Sequence, residues 1–404
     1  MNADPAEVVA ALPLGMARLS KLAFEGADLT PIWRDLLDTF VTATESAGTL
    51  MDLATIEQLF GDVAGGLAYQ AAALERCRLY RSRCDAAVPA LRVLALAAAG
   101  DIGVNTPLEF LLEGSDIALD TLYVVPGRAA PMPLPAFDLA IVVAGEAEAN
   151  RTVLDEIARL VGPWRVPVLN DPRRIPLLAR DRLPVLLAGT EGLCVPPTLP
   201  FARDALVRAA RGDDDAIAAC GFPLIVRPID SHAGRGLARI GEASALQAYL
   251  AERPETRFFI APFVDYRGAD GLYRKYRVAF IGGRAFACHM AITDHWMIYY
   301  LNAGMRESAA KRAEEARFMR DFDADFARRH AAALNAIAGR IGLDYFAIDC
   351  AELADGRLLL FEADVAMIVH AMDPPDIFPY KAPQMRKLFG AFRGLLLERA
   401  GRTP

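Results

Sequence analysis

The chain is short of lysine, of histidine and of paired cysteine. Five of its 44 basic residues are lysine (Lys21, Lys275, Lys311, Lys381 and Lys387), so arginine fills most positions that ask for a cation. The net charge of −7 excludes a general affinity for nucleic acid, because phosphate contacts need clustered cations. It leaves room for a local basic groove. No pair among Cys77, Cys84, Cys194, Cys220, Cys288 and Cys350 has the C-x2-C spacing of common zinc and redox motifs. Free thiols in a reducing compartment are expected. No uncharged apolar run approaches the roughly 18 residues of a membrane span. The first 30 residues lack a basic stretch followed by an apolar one, so no leader is expected. The expected setting is the cytoplasm, with no membrane partner.

What is present is a globular composition. Of 404 residues, 54% are hydrophobic and 24% charged, enough apolar side chains for a sizeable core. At roughly 100–200 residues per domain the length allows two to four domains.

Residues 1–89 read as helices. Asp4-Pro5 and Thr30-Pro31 place capping side chains before proline, and Leu36, Leu37, Phe40 and Val41 recur at helical spacing. A further helix is expected over Leu67 to Tyr80. No chemistry is legible there; packing or dimerisation is the expected role. From residue 90 to 198, short β-prone runs (Leu91–Ala97, Ala118–Val125, Phe137–Val143, Val166–Leu169) alternate with helical stretches (Pro107–Leu112, Glu146–Val161), the pattern of a small parallel α/β domain. No G-x-G-x-x-G follows its first strand, so a dinucleotide fold has little support. From residue 199 to 404 a third domain is expected, with strands at Gly221–Pro228, Phe258–Val264, Tyr276–Ile281 and Ala285–Ile292. An aperiodic charged insertion at 294–320, a helix over Asp325–Ile341 and a hairpin of Ile348–Leu353 and Leu358–Glu362 follow.

That hairpin carries the first chemical signal. A two-residue loop at Asp355-Gly356 pairs Ala354 with Arg357 and, counting back, puts Asp349 opposite Glu362, with Asp364 on the same face. Three converging carboxylates repel one another, and a divalent cation relieves the repulsion. Oxygen ligands without His or Cys point to Mg²⁺ or Mn²⁺. The bland alternative is a solvated acidic face. The second signal is Ser231-His232-Ala233-Gly234-Arg235-Gly236, after a strand carrying Arg227. Glycines there let backbone amides approach an anion; an ordinary turn is the alternative.

In order, Pro223 to Pro228, Ser231 to Gly236, Ala261-Pro262-Phe263-Val264, Tyr276-Arg277-Val278 and Asp349 with Glu362-Ala363-Asp364 resemble the ATP-grasp superfamily, nearest to its glutathione-synthetase-like carboxylate–amine ligases, over residues 165–370. The resemblance implies two antiparallel-sheet subdomains with ATP between them, preceded by the small α/β domain and the helical region. Arg182 and Arg227 would contact the nucleotide, and Ser231, His232, Gly234, Arg235 and Gly236 would fold over its phosphates. Pro262, Phe263 and Val264 would read adenine, with Asp265 near the ribose. Asp349, Glu362 and Asp364 would hold Mg²⁺, and Arg277 would steady the transferred phosphoryl group. The family favours Lys where this chain has Arg182 and Arg227, and Asn where it has Asp364.

Weaker candidates are His289, His295, His370 and Lys381 as substrate contacts, Arg267, Arg274 and Lys275 as a basic rim, and Trp296, Tyr299 and Tyr300 as a lid. The expected function is ATP-dependent joining of a carboxylate to an amine through an acyl phosphate. The partners are then small-molecule or peptide substrates, with a homodimer as the default assembly. The alternatives are a nucleotide-binding scaffold without turnover and a plain interaction protein.

Overall fold

The computed structural model describes residues 10–42, 46–213, 217–218, 220–231 and 234–403. Asp4-Pro5 and His232 lie outside them. The fold is mixed α/β. The chain divides into two compact units: residues 1–176 with 343–346 and 364–404, and residues 177–342 with 347–363.

In the first unit, β1 (Leu79–Arg81), β2 (Leu91–Ala97), β3 (Ile117–Tyr123), β4 (Leu139–Val142) and β5 (Val168–Leu169) form a sheet in the order β1-β3-β2-β4-β5. The last four strands of that order run parallel, and β1 joins β3 antiparallel at the edge. β2 and β4 are almost wholly buried, as the continuous apolar runs of a parallel sheet require. The helix Arg151–Val161 buries Val153, Leu154 and Ile157 on one stripe.

The helical region is not a unit of its own. The chain before its helices bridges to β1 through Ala11 N–H on Leu79 and Arg81 N–H on Ala11. Residues at both ends of the segment are thereby tied to the sheet, and the boundary expected at 89/90 does not exist. The helix Ala47–Phe60 is capped by the Ser46 hydroxyl on Thr49 N–H and stopped by Gly61 at φ 95°. Asp28, rather than Thr30, supplies the side-chain oxygen at the start of Thr30–Thr42. The helix expected to reach Tyr80 ends at Arg76, because Tyr80 pairs in β1.

The second unit holds two sheets. β7 (Leu199–Ala202), β8 (Leu224–Pro228), β9 (Ala238–Ile240) and β10 (Arg257–Pro262) make an antiparallel sheet in the order β7-β10-β8-β9. The helices Arg203–Arg211 and Ala243–Ala251 pack on it through Leu206, Leu246 and Leu250 against Leu224, Val226, Phe258 and Ile260. Each such side chain contributes about 1.5–3 kcal/mol by burial. The other sheet has the order β12-β11-β13-β14-β6, from β6 (Leu193–Cys194), β11 (Tyr273–Ile281), β12 (Arg284–Thr293), β13 (Tyr345–Glu352) and β14 (Leu358–Asp364). β6 joins β14 parallel.

Three local expectations change here. The insertion contains a helix, Ala309–Asp321, capped by Ser308 on Lys311 N–H; only Glu315 and Met319 are buried, so no apolar stripe announced it. The helix expected over 325–341 breaks at His330 into Phe326–Arg329 and Ala331–Ile341. The β13–β14 turn closes on Leu353 and Arg357, with three residues between them. Leu353 N–H donates to Arg357 and Gly356 N–H to Leu353, with Gly356 at φ 84°. The Asp355 carboxylate accepts Arg357 N–H and fixes that turn. Pairing counted from a two-residue loop is therefore off by one at the turn. Among the described residues no helix is long and apolar enough to cross a membrane.

Candidate functional site

Lys275 and Arg277 are two apart on β11, so they share a face. β13, the adjacent strand, brings Asp349 to them. Arg277 Nε lies 2.8 Å from Asp349 Oδ1, and Lys275 Nζ and Arg277 Nη2 each lie 3.0 Å from Oδ2. The carboxylate is 2% exposed. Burial would push its pKa up, but Arg277 and Lys275 outweigh burial and hold it far below the carboxylate range. His289 stands opposite Arg277 on β12, where the register shifts, and adds to the basic side. Its ring packs on Tyr300, 4.6 Å between centroids.

On β14, Glu362 is paired with Arg180. Arg180 lies near Arg227 of β8, and burial together with Arg180 pulls the Arg227 pKa well down. Arg227 hydrogen-bonds the Ser231 carbonyl and hydroxyl, and that hydroxyl donates to Pro228 at 2.8 Å. Among the described residues no carboxylate pairs with Arg227, which leaves a half-buried cation without counter-charge. Such a group is costly unless an anion joins it.

The loop continues through Gly234 at φ 73° and Gly236 at φ 68°. A Cβ on Gly236 would fall 2.6 Å from Pro228 Cδ, so only glycine fits. Arg235 is exposed. Pro262 ends β10 opposite Leu224, and Phe263 N–H is already used on the Pro223 carbonyl, 3.0 Å away. The Phe263 ring carries the Arg239 guanidinium at 4.1 Å and the Trp296 ring at 5.8 Å. Val264 is half-buried; Asp265 is exposed and pairs with Arg267.

Several expected residues sit elsewhere. Arg182 is exposed at the head of the short helix Leu183–Leu186, and Arg180 is the guanidinium that reaches the site. Arg274 is bound to Asp270 and Glu314. Tyr299 is exposed, while Tyr300 hydrogen-bonds Glu315, so no three-ring lid forms. His295 hydrogen-bonds within its own turn at Met297. His370 and Lys381 belong to the first unit. His370 meets the Phe24 and Phe110 rings, and buried Lys381 pairs with Asp373 at 3.0 Å.

The carboxylates expected to bind Mg²⁺ do not fit that ion. Both Asp349 oxygens are engaged by cations, Glu362 is bound by Arg180, and Asp364 Oδ1 accepts the Glu146 and Ala366 N–H groups in the first unit. Among the described residues no three His, Cys, Asp or Glu side chains group so as to hold a metal. A polyphosphate does fit. Arg180 stands against Glu362 and beside Arg227, and Lys275 and Arg277 share Asp349, cations of the kind phosphate oxygens use, in a chain of net charge −7. On sequence grounds Lys275 was expected only in a basic rim, and of the two guanidinium groups at 180 and 182 Arg182 was the one assigned to the nucleotide. For Lys275 the signal was available: its i, i+2 spacing from Arg277.

The first unit holds a different buried carboxylate. Asp52 lines a cavity of about 110 Å³ with Glu109, Gln58, Gln70, Asn105 and Tyr123. It accepts Leu14 N–H at 2.7 Å and Gly15 N–H at 3.1 Å. Burial pushes its pKa up to about 6, and Glu109 adds to the rise.

No known family matches the chain, and no curated protein matches it. Among solved structures it is similar to a RimK domain protein ATP-grasp from Sphaerobacter thermophilus DSM 20745, at 18% identity over 76% of this chain and 99% of that one, TM-score 0.44. It is similar to D-alanine–D-alanine ligase from Bacillus anthracis, solved with ATP, at 14% identity over 78% and 100%, TM-score 0.45. It is also similar to VanG D-Ala:D-Ser ligase from Enterococcus faecalis, at 13% identity over 76% and 99%, TM-score 0.47.

Proposed function

We propose that the second unit binds the phosphates of ATP, and that the protein uses ATP to join a carboxylate to an amine. The observation that carries the reading is Arg227, a half-buried guanidinium with no carboxylate partner among the described residues, beside Arg180 and a loop opened by Gly234 and Gly236. Cations and backbone amides so placed suit phosphate oxygens. The order of motifs along the chain supports the ligase chemistry.

In that chemistry the bond between Pγ and the β–γ bridging oxygen breaks, and a substrate carboxylate oxygen bonds to Pγ, releasing ADP. The amine nitrogen then attacks the acyl carbon. A C–N bond forms, phosphate leaves, and the amine gives a proton to solvent. Arg277 and Arg180 would offset charge spreading over the transferred group, which is positioning and electrostatics rather than covalent catalysis.

Turnover is tested by ADP release in the presence of hydroxylamine across a panel of carboxylates. Hydroxamate formation that disappears in Arg227→Ala is expected. ATP binding with no ADP from any acid–amine pair would instead support a nucleotide-binding scaffold, a reading that the engagement of Asp349 by two cations favours.

A further inference from the structure

We propose that Lys275 and Arg277 stand in the place of a divalent cation at Asp349, so that the site takes a nucleoside triphosphate as its metal-free anion. The inference rests on the nucleotide reading above. Its basis is the arrangement at β11 and β13. The strand alternation puts Lys275 and Arg277 on one face, and the neighbouring strand fixes Asp349 against them. The pairing is thus set by backbone register. All three contacts are 2.8–3.0 Å and the carboxylate is 2% exposed. A metal ion seated on Asp349 would have to share the carboxylate with both cations, held desolvated beside its own charge.

Lys275 and Arg277 put two positive charges against Asp349, the charge one divalent ion would bring. In a chain with five lysines, one of them sits here. Side-chain cations carried on strands can neutralise phosphate oxygens as an ion would, though as fixed donors.

The test is calorimetric titration of the full chain with ATP, once with excess Mg²⁺ and once with EDTA. Affinities within about threefold of each other are expected. Asp349→Asn should tighten ATP binding several-fold both in EDTA and with Mg²⁺, because it releases two cations to the phosphates, whereas loss of a metal ligand would weaken binding with Mg²⁺. Lys275→Met should weaken metal-free binding about tenfold, the scale of one charge-assisted contact. It carries the test if Asp349→Asn fails to fold. Binding that EDTA weakens more than about tenfold would overturn the proposal alone, as would a Lys275→Met protein that binds ATP like the wild type. No binding under either condition would overturn the nucleotide reading with it.

Discussion

Asp349 and Asp52 are both buried aspartates, at 1% and 3% exposure, yet their environments are opposite. Asp349 in the second unit is held by Arg277 and Lys275, and its pKa falls far below the carboxylate range. Asp52 in the first unit has two backbone N–H donors and Glu109 close by, and its pKa rises to about 6. Burial is common to both, so counter-charge decides the sign. The Asp349 site is a carboxylate that two strand-borne cations neutralise. Asp52 is a carboxylate that the fold tolerates at a cost.

The largest effect should come from breaking the first arrangement. Arg277→Met leaves Asp349 buried with Lys275 alone and should cost about 3–5 kcal/mol, read by urea unfolding at neutral pH. Adding Asp349→Asn should restore part of the loss; a single variant as stable as wild type would show that the pair holds nothing together. The second arrangement sharpens the comparison through pH. Since Asp52 keeps its proton more tightly folded than unfolded, its contribution is present below the unfolded value of 3.8 and is lost as pH rises through about 6. Asp52→Asn should therefore gain ~3 kcal/mol on the wild type between those limits. A difference that does not move with pH would place Asp52 outside the titration.

Glu352 lies between the two cases. Burial pushes it up, but His330 and Arg329 hold it at about 2, so its stabilising effect is present above its ordinary 4.5 and lost as pH falls through about 2. Glu352→Gln should cost ~1–2 kcal/mol at neutral pH, after allowance for its partial exposure, and nothing near pH 2. The smallest effect belongs to the hairpin. Gly356→Ala, at φ 84°, should cost about 1 kcal/mol without touching nucleotide affinity. A larger loss of affinity would tie the turn to the site.

Much of the fold was legible because its signals are local. Leu91–Ala97 is β2 to the residue, and β8, β10, β11 and β12 fall where β-prone runs predicted them. The loop after β8, with Gly234 and Gly236 at positive φ, was legible as a glycine turn. What escaped depended on tertiary partners. Nothing in Arg180-Asp181-Arg182 says which guanidinium turns inward, and a short helix starting after Arg182 leaves that residue exposed. Nor does an acidic hairpin state whether metal or side-chain cations will neutralise it. That answer lies on β11, more than 70 residues away in sequence. The turn at Asp355-Gly356 was misjudged because a three-residue loop with glycine at its last position reads, in one dimension, like a two-residue one.

The most direct test of the central claim, that these arginines hold a nucleotide's phosphates, is equilibrium binding of ATP to the wild type and to Arg227→Ala. The account predicts micromolar affinity for the wild type and a loss of at least about tenfold in the variant, with fold unchanged by circular dichroism. Equal affinity in the two proteins, or none in the wild type, would contradict it.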